Sequence, residues 1–81
     1  MTQATFTLTI SEVDDLLFNG EAHSVTVPGA MGEMTLLAKH EPLIALLKAG
    51  TITVRTGEGE QQFSIKKGLL ETSNNRVTVL V

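Results

Sequence analysis

Apolar side chains alternate with polar, mostly threonine, positions in five short segments, and this period constrains the fold more than any other feature. A period of two places alternate side chains on opposite faces of a β-strand. Thr and Val are β-branched and suit a pleated strand better than a helix. The sequence therefore predicts strands with one apolar face. The segments are Phe6–Ile10, Val25–Val27, Ile52–Val54, Phe63–Ile65 and Val77–Val81.

Residues typical of turns separate these segments. Asn19-Gly20, Gly57–Gly59 and Asn74-Asn75 tolerate the positive φ angles that tight turns require. Short strands separated by turn signals at intervals of about 8–12 residues predict an antiparallel β-sandwich or barrel. Because neither a composition shift nor a repeat divides the chain, we expect a single domain over residues 1–81.

The residue pattern leaves the secondary structure of two segments open. In EPLIALLKAG (Glu41–Gly50), Pro42 could begin a short helix and Gly50 could end it. A short apolar run is also typical of a fully buried strand. The segment SEVDD (Ser11–Asp15) could form one capped helical turn or an acidic turn between strands.

The size of the chain favours a partner. A domain of 81 residues buries only about 60–65% of the surface of its unfolded chain, so small domains commonly depend on disulfides, a metal or another subunit. The chain has no cysteine, which excludes disulfides and thiolate metal sites. Its two histidines, His23 and His40, are isolated in sequence.

Charge and hydropathy exclude two kinds of partner. The net charge is −3 and the six basic residues are scattered, so no patch is available to bind nucleic acid. No apolar run approaches the roughly 20 residues that span a bilayer, and we expect no direct membrane insertion. The N-terminal MTQATFTLTI lacks the basic flank and apolar core of a secretory signal.

The candidate chemistry lies in VPGAMGEMTLLAKHEPLI (Val27–Ile44). Glu33 and His40 could act as an acid–base pair, but no serine near a glycine elbow supplies a nucleophile. An exposed carboxylate and a histidine bonded to the backbone is the favoured interpretation. The segment lacks the Gly-Lys-Ser/Thr of a phosphate loop, and no acidic cluster has calcium-loop spacing. We expect no catalytic residue, metal or cofactor.

The same segment is richer in apolar residues than a small core requires. Met31, Met34, Leu36 and Leu37 lie close together in sequence. Each one alone is best interpreted as core, but Met is adaptable at interfaces. As a group they favour a surface that holds another protein.

Seven groups of residues, in their order and spacing, carry a family resemblance. They are Phe6–Ile10; Leu17-Phe18 with Gly20; Val27–Gly29 with Gly32-Glu33; His40 with Pro42-Leu43; Lys48 with Gly50; Lys67–Glu71; and Asn75 with Val77–Leu80. Together they make the chain similar to the N-terminal β-sandwich domain of the epsilon subunit of rotary F-type ATP synthases. The chain departs from the family at Met34–Lys39, which lacks the usual Pro-Gly before His40, and at Ala49, which replaces a Pro.

The resemblance implies an all-β, antiparallel sandwich of two sheets with roughly ten short strands. It also implies that Glu41–Gly50 is extended, and burial on both faces would explain its apolar run. In the family a helical hairpin follows the position of Val81. We expect that hairpin, which is implicated in ATP sensing and in inhibiting hydrolysis, to be absent.

The function implied is that of a non-catalytic rotor subunit at the cytoplasmic face of a bacterial cell membrane. Such a subunit packs on the gamma shaft and on the membrane rotor ring, and it couples ion flow to ATP synthesis. Met31, Gly32 and Glu33 match the positions that face the ring. His40, Glu41 and Pro42 match a loop near gamma or the ring.

Two other functions stay open. One is a stand-alone β-sandwich that self-associates or binds a different protein, which the altered segment before His40 would favour. The other is a small enzyme or ligand-binding domain that uses Glu33 and His40.

Overall fold

The computed structural model describes residues 4–81, which form nine β-strands and no helix. The predicted all-β single domain is confirmed, with nine strands where roughly ten were expected. The strands are β1 (Phe6–Glu12), β2 (Asp15–Ala22), β3 (Ser24–Gly29), β4 (Gly32–Leu37), β5 (Leu43–Leu47), β6 (Gly50–Thr56), β7 (Gly59–Ile65), β8 (Gly68–Ser73) and β9 (Arg76–Leu80).

The strands form one continuous, curled sheet in the order β2-β1-β9-β8-β5-β3-β6-β7, with β4 paired to β3. The link between β5 and β3 is a single residue pair, Gly29 with Leu47. Two hydrogen bonds flank it, from Ala30 N–H to the Leu46 carbonyl at 2.8 Å and from Lys48 N–H to the Pro28 carbonyl at 2.9 Å. This narrow link lets the sheet fold into two layers, so the sandwich is built from one sheet rather than from two separate ones.

One pairing differs from the predicted antiparallel arrangement. β1 runs parallel to β9, and Leu8 lies opposite Val77, whereas all other described pairings are antiparallel. Parallel neighbours cannot be joined by a tight turn, and here they come from opposite ends of the described chain. Their pairing is therefore a long-range contact that local sequence patterns do not reveal.

The alternation predicted from sequence produces the core. Phe6, Leu8 and Ile10 are buried along β1, while the threonines between them are half-buried. Full burial of a side chain of this size contributes about 1.5–3 kcal/mol. Both layers supply the core, whose other members are Ala22, Val25, Val27, Leu36, Leu47, Ile52, Val54, Ile65, Leu70, Val77 and Val79.

The turn predictions have mixed outcomes. Asn74 and Asn75 have φ angles of 51° and 60°, and Gly59 has a φ of 126°, as expected for turns. The turn predicted at Asn19-Gly20 is wrong, because both residues lie inside β2 opposite Thr9 and Leu8 of β1. Pairing with β1 overrides the local preference of Asn-Gly.

The two ambiguous segments are both resolved. Val13 and Asp14 form a turn between β1 and β2, so the acidic turn is correct. Residues 43–47 form β5, which confirms the extended conformation. The expectation that β5 is buried on both faces is wrong, since the side chains of Ile44 and Leu46 are 69% and 66% exposed. Only its inner face packs on the core.

Candidate interaction surface

The hairpin between β3 and β4, which we call the Met31 hairpin, contains Met31, Gly32 and Glu33. Ala30 and Met31 form its turn, and Gly29 pairs with Gly32 at its base. A side chain at Gly29 would place Cβ 2.5 Å from the Gly32 carbonyl oxygen, and Gly32 has a φ of 137° that favours glycine. The tight hairpin leaves Met31 fully exposed.

Glu33 is exposed at the start of β4. Within residues 4–81 the one ion pair joins Arg55 and Glu60, at 3.2 Å, so the Glu33 carboxylate has no cationic partner there. Its charge is available to a second molecule.

The second predicted group lies at the other end of β4. His40, Glu41 and Pro42 are exposed and follow this strand. Four residue steps separate Glu33 from Leu37, which corresponds to about 13 Å along a strand. Glu33 and His40 therefore do not meet as an acid–base pair. The His40 Nδ1 instead hydrogen-bonds the Glu41 carbonyl oxygen at 2.8 Å, as expected for a histidine bonded to the backbone.

Two distant side chains hold the connection between β4 and β5. The buried Thr72 hydroxyl donates to the Glu41 carbonyl oxygen at 2.8 Å. The Lys39 N–H donates to the Asn75 Oδ1 at 2.6 Å. Both side chains come from the β8–β9 region, so the shape of this connection depends on contacts remote in sequence.

A row of exposed leucines crosses the outer face of the sheet, and sequence analysis did not identify it. Leu46 of β5 pairs with Leu69 of β8, which pairs with Leu80 of β9. Across Ser11 of β1, the same row continues to Leu16 of β2. We call Leu16, Leu46, Leu69 and Leu80 the outer stripe, and all four are exposed.

A detectable signal for the outer stripe was present in the sequence. Leu80 lies between Val79 and Val81, and so falls in the outward phase of β9. Polar residues normally occupy that phase in a sheet that faces water on one side. Apolar residues in the outward phase of several strands are therefore informative once the strand pairing is known.

A groove lies beside the stripe, between β5 and the β3–β4 hairpin. It has a volume of about 540 Å³, and Met31, Met34, Ile44 and Leu46 line it with Glu33. The four apolar residues that the sequence analysis grouped as an interaction surface have different environments. Leu36 is core, Met34 packs against the core, and Met31 and Leu37 are exposed.

Other kinds of site are not formed by the described residues. No three His, Asp or Glu side chains among residues 4–81 cluster to hold a metal ion. This part of the chain also contains no helix of the length and apolarity needed to cross a membrane. Hydrogen bonds from Thr5 and Thr7 lower the pKa of the Glu21 carboxyl, but this exposed group lies on β2, outside both predicted loops.

Related sequences are ATP synthase epsilon chains. The chain is 38% identical over 77 residues to the ATP synthase epsilon chain of Rhodopseudomonas palustris (strain BisA53), covering 95% of this chain and 57% of that protein. It is 44% identical over 73 residues to the epsilon chain of Xanthomonas campestris pv. campestris (strain B100), covering 89% and 52%. The chain thus spans just over half the length of these relatives.

Solved structures show the same fold. A chain in the cryo-EM structure of the Euglena gracilis mitochondrial ATP synthase OSCP/F1/c-ring superposes with a TM-score of 0.89 at 25% identity, covering 96% of this chain and 51% of that one. A chain in the central stalk/c-ring structure of the Tetrahymena thermophila mitochondrial ATP synthase has a TM-score of 0.82 at 12% identity, covering 100% and 66%.

The sequence pattern of a family described as ATP synthase, Delta/Epsilon chain, beta-sandwich domain matches residues 5–81. This range includes all nine strands and both predicted loops. The chain therefore belongs to the family of ATP synthase delta/epsilon chain β-sandwich domains.

Proposed function

We propose that this chain acts as a non-catalytic central-stalk subunit of an ion-translocating ATP synthase. It packs on the gamma shaft and on the membrane rotor ring and so couples ion flow to ATP synthesis. The observation that carries this proposal is the outer stripe beside the Met31 hairpin, an apolar surface edged by an unpaired carboxylate. In a bacterial cell the chain would lie at the cytoplasmic face of the membrane as a peripheral part of the complex.

The outer stripe is the proposed face for gamma. Contiguous exposed apolar patches on a small domain mark interaction surfaces. The leucines sit on paired strands of one sheet, so the surface they form is rigid. A stiff apolar face suits a subunit that transmits torque and performs no chemistry itself, because binding then requires little ordering of either partner.

The Met31 hairpin is the proposed contact with the ring. Met31 offers an adaptable apolar tip, and Gly32 gives the hairpin its tight turn. The Glu33 carboxylate would pair with basic side chains in the polar loops of the ring. A charge at the edge of an interface affects the relative orientation of the partners and their association rate more than their affinity.

His40, Glu41 and Pro42 are assigned to gamma rather than to the ring. They lie at the opposite end of β4 from Glu33, about 13 Å or more away. A ring that contacts the Met31 hairpin would leave them facing away from the membrane, where the shaft continues.

A binding titration against the gamma subunit of the same source tests this function, with gel filtration of the mixture. We expect a one-to-one complex, and Leu46→Gln should weaken it at least tenfold. The control is Gln61→Ser on β7, a strand distant from β5 in the sheet order. A folded wild-type chain that dimerises at micromolar concentration without binding gamma would instead support the stand-alone, self-associating module.

A further inference from the structure

Lys39 has an unusual backbone conformation. Its φ angle is 63°, and the other non-glycine residues with positive φ among residues 4–81 are Asn74 and Asn75. Asparagine tolerates this left-handed region, whereas a residue with a long side chain is strained there. Such strain persists only when the surrounding structure imposes it, and it concentrates at functional positions.

The side chain of Asn75 binds the backbone of Lys39. Its Oδ1 accepts the Lys39 N–H at 2.6 Å, and its Nδ2 donates to the Thr5 carbonyl oxygen at 2.9 Å. Its own carbonyl oxygen accepts the Thr7 N–H at 3.2 Å. Through its side chain and its carbonyl oxygen, Asn75 thus ties the start of β1 and the β8–β9 turn to the connection that follows β4.

The charge of Lys39 is unused within the described chain. Lys39 is exposed and forms no ion pair there, since the single pair joins Arg55 and Glu60. Glu41, two residues away, is held through its backbone carbonyl and not through its carboxylate. A glycine would adopt the same φ without strain, so the lysine contributes a cation at a conformational cost.

We propose that Lys39 is a docking cation that binds a carboxylate side chain of the shaft subunit, and that Asn75 is the residue that positions it. This inference rests on the proposed function and adds a specific charge contact at the end of the domain remote from Glu33. Arg76, which is also exposed and forms no ion pair among residues 4–81, adds a second positive charge directly after Asn75.

The test compares Lys39→Gln and Lys39→Gly in titrations of the full chain with gamma at several salt concentrations. Lys39→Gln removes the charge and keeps the backbone strain, whereas Lys39→Gly removes both. We expect each variant to weaken binding roughly threefold at low salt, and the difference from wild type to vanish at high salt. The matched control, Lys48→Gln, changes an exposed lysine on the β5–β6 connection and should bind like wild type.

Thermal unfolding separates docking from folding. Lys39→Gly should melt at or above the wild-type temperature, because relief of the strained φ accompanies loss of the side chain. Unchanged affinity in both variants would overturn the docking cation, as would weakening by Lys39→Gly alone. A folded wild-type chain that fails to bind gamma would instead overturn the proposed function and this inference with it.

The positioning role of Asn75 is tested by combining an Asn75 substitution with Lys39→Gln. Asn75→Gly permits the positive φ and deletes both side-chain hydrogen bonds. If Asn75 acts by positioning Lys39, this substitution should weaken binding in the wild type and have no further effect in Lys39→Gln. Equal effects in both backgrounds would show that Asn75 supports the fold only.

Discussion

The Met31 hairpin and the β4–β5 connection lie at opposite ends of one strand, and they are built in different ways. The hairpin is local, because Gly29 and Gly32 pair at its base and define its turn. The connection depends on Thr72 and Asn75, which are 31 and 36 residues distant from the groups they bind. The turn of the hairpin is thus defined by its own glycines, although β5 bonds Pro28 and Ala30 beside it, whereas the shape of the connection depends on side chains remote in sequence.

Gly29→Ala should destabilise the protein more than the substitutions that follow. Its Cβ would lie 2.5 Å from the Gly32 carbonyl oxygen, and the backbone of a tight hairpin cannot move aside cheaply. We expect a loss of about 2–3 kcal/mol in the free energy of unfolding, measured by urea denaturation. Ala30→Ser, at an exposed turn position, is the control and should change stability little. A wild-type stability for Gly29→Ala would mean that the hairpin adjusts freely.

Thr72→Val should destabilise the β4–β5 connection and leave the Met31 hairpin unaffected. The substitution removes the hydroxyl that binds the Glu41 carbonyl oxygen at 2.8 Å and keeps the volume of a nearly buried side chain. We expect a loss of about 1 kcal/mol and faster amide hydrogen exchange at residues 39–41. Exchange in the Met31 hairpin should stay unchanged. Equally faster exchange in the connection and in the hairpin would show that Thr72 does not support the connection specifically.

Glu33→Lys should leave stability within about 0.5 kcal/mol of wild type, because the carboxylate is exposed and forms no ion pair within residues 4–81. In the reassembled enzyme it should weaken coupling between ion flow and ATP synthesis. The measurement is ATP synthesis at a fixed ion gradient, with Glu58→Lys on the β6–β7 turn as the control. Normal coupling with Glu33→Lys would remove Glu33 from the proposed ring contact.

The smallest effect concerns Glu21, which lies in neither region. Hydrogen bonds from Thr5 and Thr7 lower the pKa of its carboxyl from the ordinary 4.5. Its contribution to stability is therefore present above pH 4.5 and is lost as the pH falls through the lowered pKa. Glu21→Gln should be slightly less stable than wild type at neutral pH, and the two should converge in acid. A difference that persists in acid would show that the charge is not its source.

The strands with a clear apolar–threonine alternation were predictable, because their period reflects burial on one face of a sheet. The apolar residues Phe6, Leu8, Ile10, Val77 and Val79 are core as predicted. The strand β2 was missed around Asn19-Gly20, since its extended conformation comes from pairing with β1. The family resemblance supported the extended form of residues 43–47, but the explanation offered for it, burial on both faces, was wrong.

The alternation along the strands, the exposed charge of Glu33 and the family were all apparent from the amino-acid sequence. The alternation depends on neighbouring residues, and the family on the order and spacing of seven short groups along the chain. Tertiary contacts determine the parallel pairing of β1 with β9, the alignment of four leucines into the outer stripe and the hydrogen bond from the Lys39 N–H to Asn75. These features join residues far apart in sequence, and only the register between strands brings such residues together.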